Sequence, residues 1–387
     1  MQINFSFSDE EEMIRETARR IAAERLAPIA EKLDRGEGRD ELLANLRLLA
    51  ENGFMALNVK AAYGGTEAGS VAFALAVEEI GYACAATGVA TSVTNMVGEV
   101  IQAVGSEEQR RAYLPRLADG TYAAGAFCLT ESGAGSDPAG MTTRARRDGG
   151  AWVIDGEKLY ISSAEFAGLF VVWAVTDAGA PKGKGISVFL VERDAPGLVI
   201  GKAERKMGQA GSPTNVVSLE GCRVPAEALM GRENDGFRVA VGELAGGRIG
   251  VAALSLGIAR AAMDAAKAYV KERRQFGQAV AEFQGIQWMI ADREVDLEAA
   301  RLLILQAAHL KDQGQPFAKA ASMAKLFASE AAHRATDTAI QLHGGAGYIR
   351  DYAVERHARD ARITRIYEGT SEIQRLIIAR ETLRQGP

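Results

Sequence analysis

Proline is distributed so unevenly along this chain that it divides the fold before any other feature does. Six of the nine prolines (Pro115, Pro138, Pro181, Pro196, Pro213 and Pro225) fall in one middle stretch, and between Arg232 and Gly386 only Pro316 interrupts. An interior proline removes a backbone donor and clashes with the preceding turn, costing a helix about 3 kcal/mol. The late part of the chain is therefore expected to be helical and the middle turn-rich. Hydrophobic spacing agrees. Ser8 followed by Glu11 is a capping box, and Met13, Ile14, Thr17, Ile21 and Leu26 recur near helical spacing. Further helices are expected over residues 40–52, 70–82 and 87–104. In the middle, the runs Trp152-Val153-Ile154, Leu159-Tyr160-Ile161, 169–175, 186–191 and 214–219 are separated by Gly, Asp and Pro. They predict a small antiparallel barrel. Beyond Gly236 one helical face carries Val251, Leu254, Ile258, Ala262, Ala265 and Tyr269, and another carries Ile286, Ile290, Leu297, Ile304 and Ala308. Long antiparallel helices in a bundle present such faces. The expected domains are thus helical over 1–120, β over 121–230 and a helical bundle over 231–387.

A chain of 387 residues with 48% apolar composition can bury full-sized cores in two or three domains. Net charge is −5 with both signs dispersed and without a Lys/Arg stripe, so no nucleic-acid partner is expected. Met1 to Phe5 lead into an acidic run from Asp9 to Glu12, unlike a secretion signal or an Arg-rich transit peptide. No membrane association is expected, since no apolar run approaches bilayer-spanning length. Cys84, Cys128 and Cys222 are odd in number, far apart and without C-x-x-C spacing, which predicts reduced thiols and a cytoplasmic location.

Three segments carry candidate chemistry. In Phe127-Cys-Leu-Thr-Glu-Ser-Gly-Ala-Gly-Ser-Asp137 a strand runs into a loop of glycines and small hydroxyls, able to cradle a phosphate or a flat ring edge. It is not a G-x-G-x-x-G fingerprint, and alone it also suits a plain surface turn. His343-Gly-Gly-Ala-Gly-Tyr348 ends a helix, permitting either a glycine C-cap or close backbone contact with a pyrophosphate. A lipase-type oxyanion loop is excluded, because no G-x-S-x-G elbow exists to accompany it. In Ile366-Tyr-Glu-Gly-Thr-Ser-Glu-Ile-Gln374, Glu368 sits among apolar neighbours that would raise its pKa if buried, as a base for a weakly acidic C–H requires. A structural or capping glutamate fits the same residues. His309, His333, His343 and His357 show no metal-ligand spacing, so no metal is expected. The groups Arg273-Arg274 and Arg359/Arg362/Arg365 suit either solvated helix faces or cofactor phosphates.

In this order, and from Phe7-Ser8 to Arg380, these segments resemble the acyl-CoA dehydrogenase family, of short- or branched-chain type. The specific matches are Leu-Thr-Glu-Ser-Gly-Ala-Gly-Ser-Asp at 129–137, Arg-Gln-Phe-Gly at 274–277, Gln-Leu-His-Gly-Gly-Ala-Gly-Tyr at 341–348 and Ile-Tyr-Glu-Gly-Thr at 366–370. The resemblance implies an α+β multidomain fold with an all-α N-terminal domain, a β-barrel-like middle domain and a C-terminal four-helix bundle. It implies FAD as cofactor, an acyl-CoA substrate, electron-transfer flavoprotein as acceptor and a homo-oligomer, usually a tetramer. Phe127, Leu129, Thr130, Gly135 and Ser136 would hold the flavin ring, with Tyr160, Ile161 and Ser162 on its other side and the Ser162 hydroxyl near N5. Arg273, Gln275, Phe276, Gln284, Gln341, Gly344 and Gly345 would reach the pyrophosphate and adenosine of an FAD bound by a neighbouring subunit, and Thr370 and Glu372 would complete the site. Ser136, Gly247, Arg248, Tyr367 and Gly369 would meet substrate.

Glu368 matches the family's catalytic base. Some members place that carboxylate just before the arginine matching Arg248, but that position is Gly247 here. The family also implies that the Glu368 backbone N–H and a flavin ribityl hydroxyl bind the thioester oxygen. Ala245 stands where short- and medium-chain relatives often have Asp, and Tyr160 where many have Trp. The runs Gly246-Gly247-Arg248 and 322–328 resemble the branched-chain isobutyryl group. The acyl pocket is expected from Ala90, Ser92, Val93, Met96 and Val97, which suit a short, branched or medium aliphatic chain. No Arg or Lys lies between Gly81 and Val104 to pair a second carboxylate, which argues against a glutaryl-type substrate. Glu99 is left between solvent and interior. Two rivals share the fold. An oxidase is expected to carry a further C-terminal domain, and a redox-neutral thioester enzyme to lack the Glu368 base. A non-catalytic FAD- or CoA-binding scaffold would leave the paired base and flavin residues unexplained.

Overall fold

A computed structural model describes residues 6–384, so the reading of Met1 to Phe5 lies outside the described residues. The chain opens with α1 (Asp9–Ile21), α2 (Ala30–Asp34), α3 (Arg39–Glu51), α4 (Gly69–Ala83), α5 (Ala85–Val104) and α6 (Glu107–Ala118). The expected capping box starts α1: the Glu11 N–H donates to Ser8 Oγ at 3.2 Å and the Ser8 N–H to Glu11 Oε2 at 2.7 Å. Ser106 and Gln109 start α6 in the same way. Strands follow as β1 (Gly125–Cys128), β2 (Arg144–Asp148), β3 (Ala151–Ser162), β4 (Leu169–Val175), β5 (Ile186–Glu192), β6 (Leu198–Ala203), β7 (Thr214–Pro225) and β8 (Leu229–Met230). The remainder is α7 (Gly236–Glu272), the short hairpin β9 (Arg274–Gln275) and β10 (Gln278–Ala279), then α8 (Gln284–Asp312), α9 (Ala318–His343), α10 (Val354–Arg362) and α11 (Ser371–Arg384).

The middle sheet runs in the order β6-β7-β3-β2-β4-β5-β8, with β1 added beside β4. It curls on itself. Trp152 of β3 meets Phe189 of β5 with ring centroids 5.2 Å apart, although two strands separate them in the sheet. Two sequence expectations need correction. The sheet is not purely antiparallel, because β1 and β2 both pair parallel with β4. Local periodicity does not reveal which distant strand becomes a neighbour. The runs around Trp152 and Tyr160 are one strand, whose apparent Asp-Gly turn is an irregularity in register with β7. Gly156 there passes so close to Thr143 that an added Cβ would lie 2.5 Å from its Oγ1. Strand β4 is buried on both faces. Leu169, Val171 and Trp173 pack on Val97, Val100, Ile101 and Leu114 of the helical domain, while Phe170, Val172 and Ala174 fill the curled sheet with Trp152 and Val217. A strand buried on both faces reads as a continuous apolar run.

Helix α7 is the axis of the C-terminal bundle, flanked by α4, α5, α8, α9 and α10. Its residues 245–259 are all buried, so it has no single apolar face there. By length and composition α7 could cross a bilayer, contrary to the sequence reading, yet 83% of its most apolar window is inside the protein. On α8, Leu297, Ile304 and Ala308 are buried, Ile286 and Ile290 are half-buried, and Trp288, Val295 and Leu302 are exposed on the other side. Arg359 proves structural: it donates to both Asp34 carboxylate oxygens at 2.7 Å, tying α10 to α2, and pairs with Glu355 on its own helix. Arg365 pairs with Glu330 of α9 at 3.1 Å.

Candidate active site

The turn at 366–370 is built so that Glu368 points inward. Glu368 and Gly369 are both left-handed, with φ of 54° and 88°. A non-glycine residue in that conformation is strained and persists only where its surroundings hold it. Three bonds do so. Buried Gln374 donates from Nε2 to the Glu368 carbonyl at 3.1 Å and to the Gly369 carbonyl at 2.9 Å, and buried Lys325 donates from Nζ to the Gly369 carbonyl at 2.7 Å. Thr370 then begins α11, its Oγ1 accepting from the Ile373 N–H at 3.3 Å. Gln209, on the loop before β7, reaches the hydroxyl of Tyr367 at 3.3 Å and the Asp360 carbonyl at 3.1 Å.

Glu368 opens onto a cavity of about 920 Å³ between α5, the 129–138 loop, the end of β3, α7 and the 363–380 segment. Its Oε2 is shielded from solvent without a hydrogen-bond partner, as is Nε of buried Arg248. Burial lifts the Glu368 carboxyl above the usual carboxylate range, against the opposing pull of Arg248 and Lys325. Burial likewise lowers the Arg248 guanidinium and brings the Lys325 ammonium down to about 8, while Glu368 opposes both shifts. Gly247 makes the room for this carboxylate. An added Cβ at that position would stand 3.0 Å from Glu368 Oε2 and 2.7 Å from Met96 Sδ.

Opposite lies the 129–138 loop, anchored from below. Glu131 is buried and accepts from Lys158 Nζ at 2.7 Å and from the Thr142 and Thr143 N–H groups at 2.6 and 3.0 Å. Burial acts to raise its pKa, but the Lys158 ammonium and these hydrogen bonds outweigh it and hold the carboxyl at about 2. The loop can therefore present small groups to the cavity from a rigid base. Gly133 and Gly135 border open space, with no heavy atom within 4 Å of an added Cβ.

Of the residues singled out in the sequence, Phe127, Leu129, Thr130, Gly135, Ser136, Tyr160, Ile161, Ser162, Gly247, Arg248, Tyr367, Glu368, Gly369 and Thr370 line this one cavity. Arg273, Gln275, Phe276, Gln284, Gln341, Gly344, Gly345 and Glu372 do not, and all are exposed. All but Glu372 gather at one end of the bundle, where Tyr269 stacks on His343 at 4.4 Å and Phe276 meets Phe283 at 6.1 Å. Among the expected acyl-pocket residues, Ser92, Val93 and Met96 line the cavity, joined by Val89. Ala90 and Val97 are fully buried elsewhere, Val97 beneath Gly125, because α5 is covered on nearly every side and periodicity does not choose its ligand face. Glu99 is largely buried and paired with Lys311. The sequence reading passed over Lys325, Gln374 and Gln209 as site residues, though Lys325 lies in the quoted run 322–328. Among the described residues no group of three or more His, Cys, Asp or Glu is placed to hold a metal ion.

A shielded carboxylate beside two buried cations, facing a hydroxyl-lined apolar cleft, defines an enzyme site suited to removing a proton from carbon. Family models for the N-terminal, middle and C-terminal domains of acyl-CoA dehydrogenase match residues 8–121, 126–222 and 234–383, and the chain belongs to the acyl-CoA dehydrogenase family of oxidoreductases. It is 45% identical to a probable acyl-CoA dehydrogenase of Bacillus subtilis, over 99% of this chain and 100% of that one. It is 44% identical to the acryloyl-CoA reductase (NADH) of Anaerotignum propionicum, over 99% and 97% of the two chains. The structure of butyryl-CoA dehydrogenase from Megasphaera elsdenii superposes with a TM-score of 0.95 at 36% identity, covering 99% of this chain and 100% of that one.

Proposed function

We propose that the protein desaturates a short, branched or medium-chain acyl-CoA between its α and β carbons, giving the trans-2-enoyl thioester and passing two electrons to electron-transfer flavoprotein. The observation that carries this reading is the Glu368 carboxylate, solvent-shielded and without a hydrogen-bond partner at Oε2, aimed into a cavity walled by the 127–138 loop and Tyr160 to Ser162. FAD fits those walls. The open space over Gly133 and Gly135, the hydroxyls of Thr130, Ser136 and Ser162, and the apolar surfaces of Phe127, Leu129 and Ile161 suit a flat ring with polar edges. When bound, it accepts the hydride that leaves the β carbon.

The protein's own part is positional and electrostatic. Glu368 takes the α-proton as the α,β double bond forms, and its elevated basicity matches it to that weakly acidic C–H. Arg248, which lines the cavity, stabilises the negative charge that spreads onto the thioester as the proton departs, together with the Glu368 N–H. Val89, Ser92, Val93 and Met96 offer an aliphatic chain a wall without a cation. The reductase name of the Anaerotignum propionicum relative describes chemistry in the saturating direction, and one site serves both directions by microscopic reversibility. The exposed end of the bundle around Phe276, 94% exposed, and Tyr348, 87% exposed, supports an oligomer in which Arg273, Gln275, Gln284, Gln341, Gly344 and Gly345 meet an FAD bound by a neighbouring subunit. Three buried free thiols support a reducing, cytoplasmic setting.

The test is colour. The purified holoenzyme should be yellow, bleach anaerobically with at least one of butyryl-, isobutyryl-, hexanoyl- or octanoyl-CoA, and recover when electron-transfer flavoprotein is added. A protein that binds FAD yet is bleached by none of them lacks the proposed activity.

A further inference from the structure

Helix α9 is rich in alanine, yet its buried side carries Ser322, Lys325 and Ser329, each fully shielded from solvent. A buried ammonium loses several kcal/mol of hydration that a neutral side chain would not. Among the described residues no carboxylate lies within ion-pair distance of Lys325, and its shortest contact is the 2.7 Å hydrogen bond to the Gly369 carbonyl. One turn earlier Ser322 accepts a long contact, 3.4 Å, from Arg248 Nη1. Further along, Glu330 accepts from Ser371 Oγ at 2.8 Å and pairs with Arg365. Side chains of α9 therefore grip the segment 365–371 on both sides of Glu368. We propose that Lys325 is a positioning residue for Glu368: its ammonium fixes the left-handed turn through the Gly369 carbonyl and, with Arg248, sets the positive field around the carboxylate. The assignment rests on the reading of Glu368 as the base.

Two consequences separate this role from simple packing. The groups acting on Glu368 are Arg248 from α7 and Lys325 from α9, with Tyr367 beside it; Glu330 on α9, and Glu372 and Arg380 on α11, act on those two cations. Two cations thus act on one carboxylate, so the loss of either removes positive charge from around it. Removing the Lys325 charge favours the protonated acid at 368, so its titration must move to higher pH. A hydrogen-bond donor without charge would keep the turn in place but not the field.

The experiment compares Lys325→Met and Lys325→Gln holoenzymes with wild type. The Glu368 carboxyl is followed by infrared difference spectroscopy against pH, referenced to Glu368→Gln, and flavin bleaching by butyryl-CoA is followed over the same range. We expect the Glu368 titration to rise by about one unit or more in both variants, with bleaching at neutral pH slowed about tenfold and partly recovered in alkali. The Met variant should also remain slower than the Gln variant at high pH, where only positioning differs. Unchanged titration in both variants overturns the assignment, and so does a uniformly slower rate with an unmoved acid limb. Should Lys325→Met not fold, the Gln titration alone decides. If wild type is not bleached at all, the proposed reaction fails while the infrared titration still judges Lys325.

Discussion

Gly247→Ala offers a sharp test of the site geometry, because the glycine stands where a methyl group must contest space with the proposed base. The new Cβ would lie 3.0 Å from Glu368 Oε2 and 2.7 Å from Met96 Sδ. An ordinary carbon–oxygen contact is about 3.4 Å or more, so the carboxylate retreats roughly 0.4 Å while the flexible Met96 swings aside. Misplacing a reacting group by about 1 Å costs on the order of 10²-fold, so this smaller retreat should slow proton abstraction about tenfold. Stability should fall by no more than about 2 kcal/mol. Overpacking costs about 1–3 kcal/mol, and replacing a helical glycine by alanine returns roughly 1 kcal/mol. The assay is stopped-flow bleaching by butyryl-CoA beside a denaturant melt of the same holoenzyme. Gly246→Ala is the control: its Cβ would meet Glu99 Oε2 at 3.0 Å and Lys311 Nζ at 3.1 Å, an ion pair away from Glu368. Wild-type bleaching by Gly247→Ala, or equal slowing by both variants, would refute the reasoning.

Lys158→Met should cost about 3–5 kcal/mol by stranding buried Glu131, and should loosen the 129–138 loop and its grip on the flavin. The pH dependence changes with it. In wild type the Glu131 carboxyl sits at about 2, below its unfolded value of about 4.3, so its stabilisation is full above that value and drains as pH falls toward 2. The variant should lose that acid-range slope in melting temperature measured from pH 5 to 2, and an unchanged slope would contradict the pairing. Arg273→Ala should lower FAD occupancy and oligomer size together, read by absorbance and light scattering; if both hold at wild-type values, the shared-site proposal is wrong.

Much of the architecture was legible because backbone chemistry announces itself locally. Five of the six middle prolines lie outside α-helices, Pro115 alone being accommodated inside α6, and the capping box at Ser8 marks where α1 starts. Glu368 and the glycine-rich loop stood out by their neighbours with structural alternatives open, and Arg248 entered only through the family resemblance. What escaped depends on elements distant in the chain. Lys325 reads as an ordinary helical lysine until the return of the 366–370 turn across α9 buries it. Gln209 touches Tyr367 across 158 residues of sequence. Strand β1 pairs with β4 rather than with a sequential neighbour, which a period of two does not specify. On α5, Ala90 and Val97 carry the same small apolar character as the true cavity residues Val89 and Val93. Only the helices packed around them decide which side meets the ligand.

The most direct measurement is anaerobic flavin reduction by the Glu368→Gln holoenzyme under saturating butyryl-CoA. Glutamine preserves the shape of the side chain but does not accept the proton. The variant should retain its FAD and still bind the thioester, while its yellow colour persists for at least ~10²-fold longer than in wild type. Fading at the wild-type rate would show that another group removes the proton and that the buried carboxylate at 368 is structural.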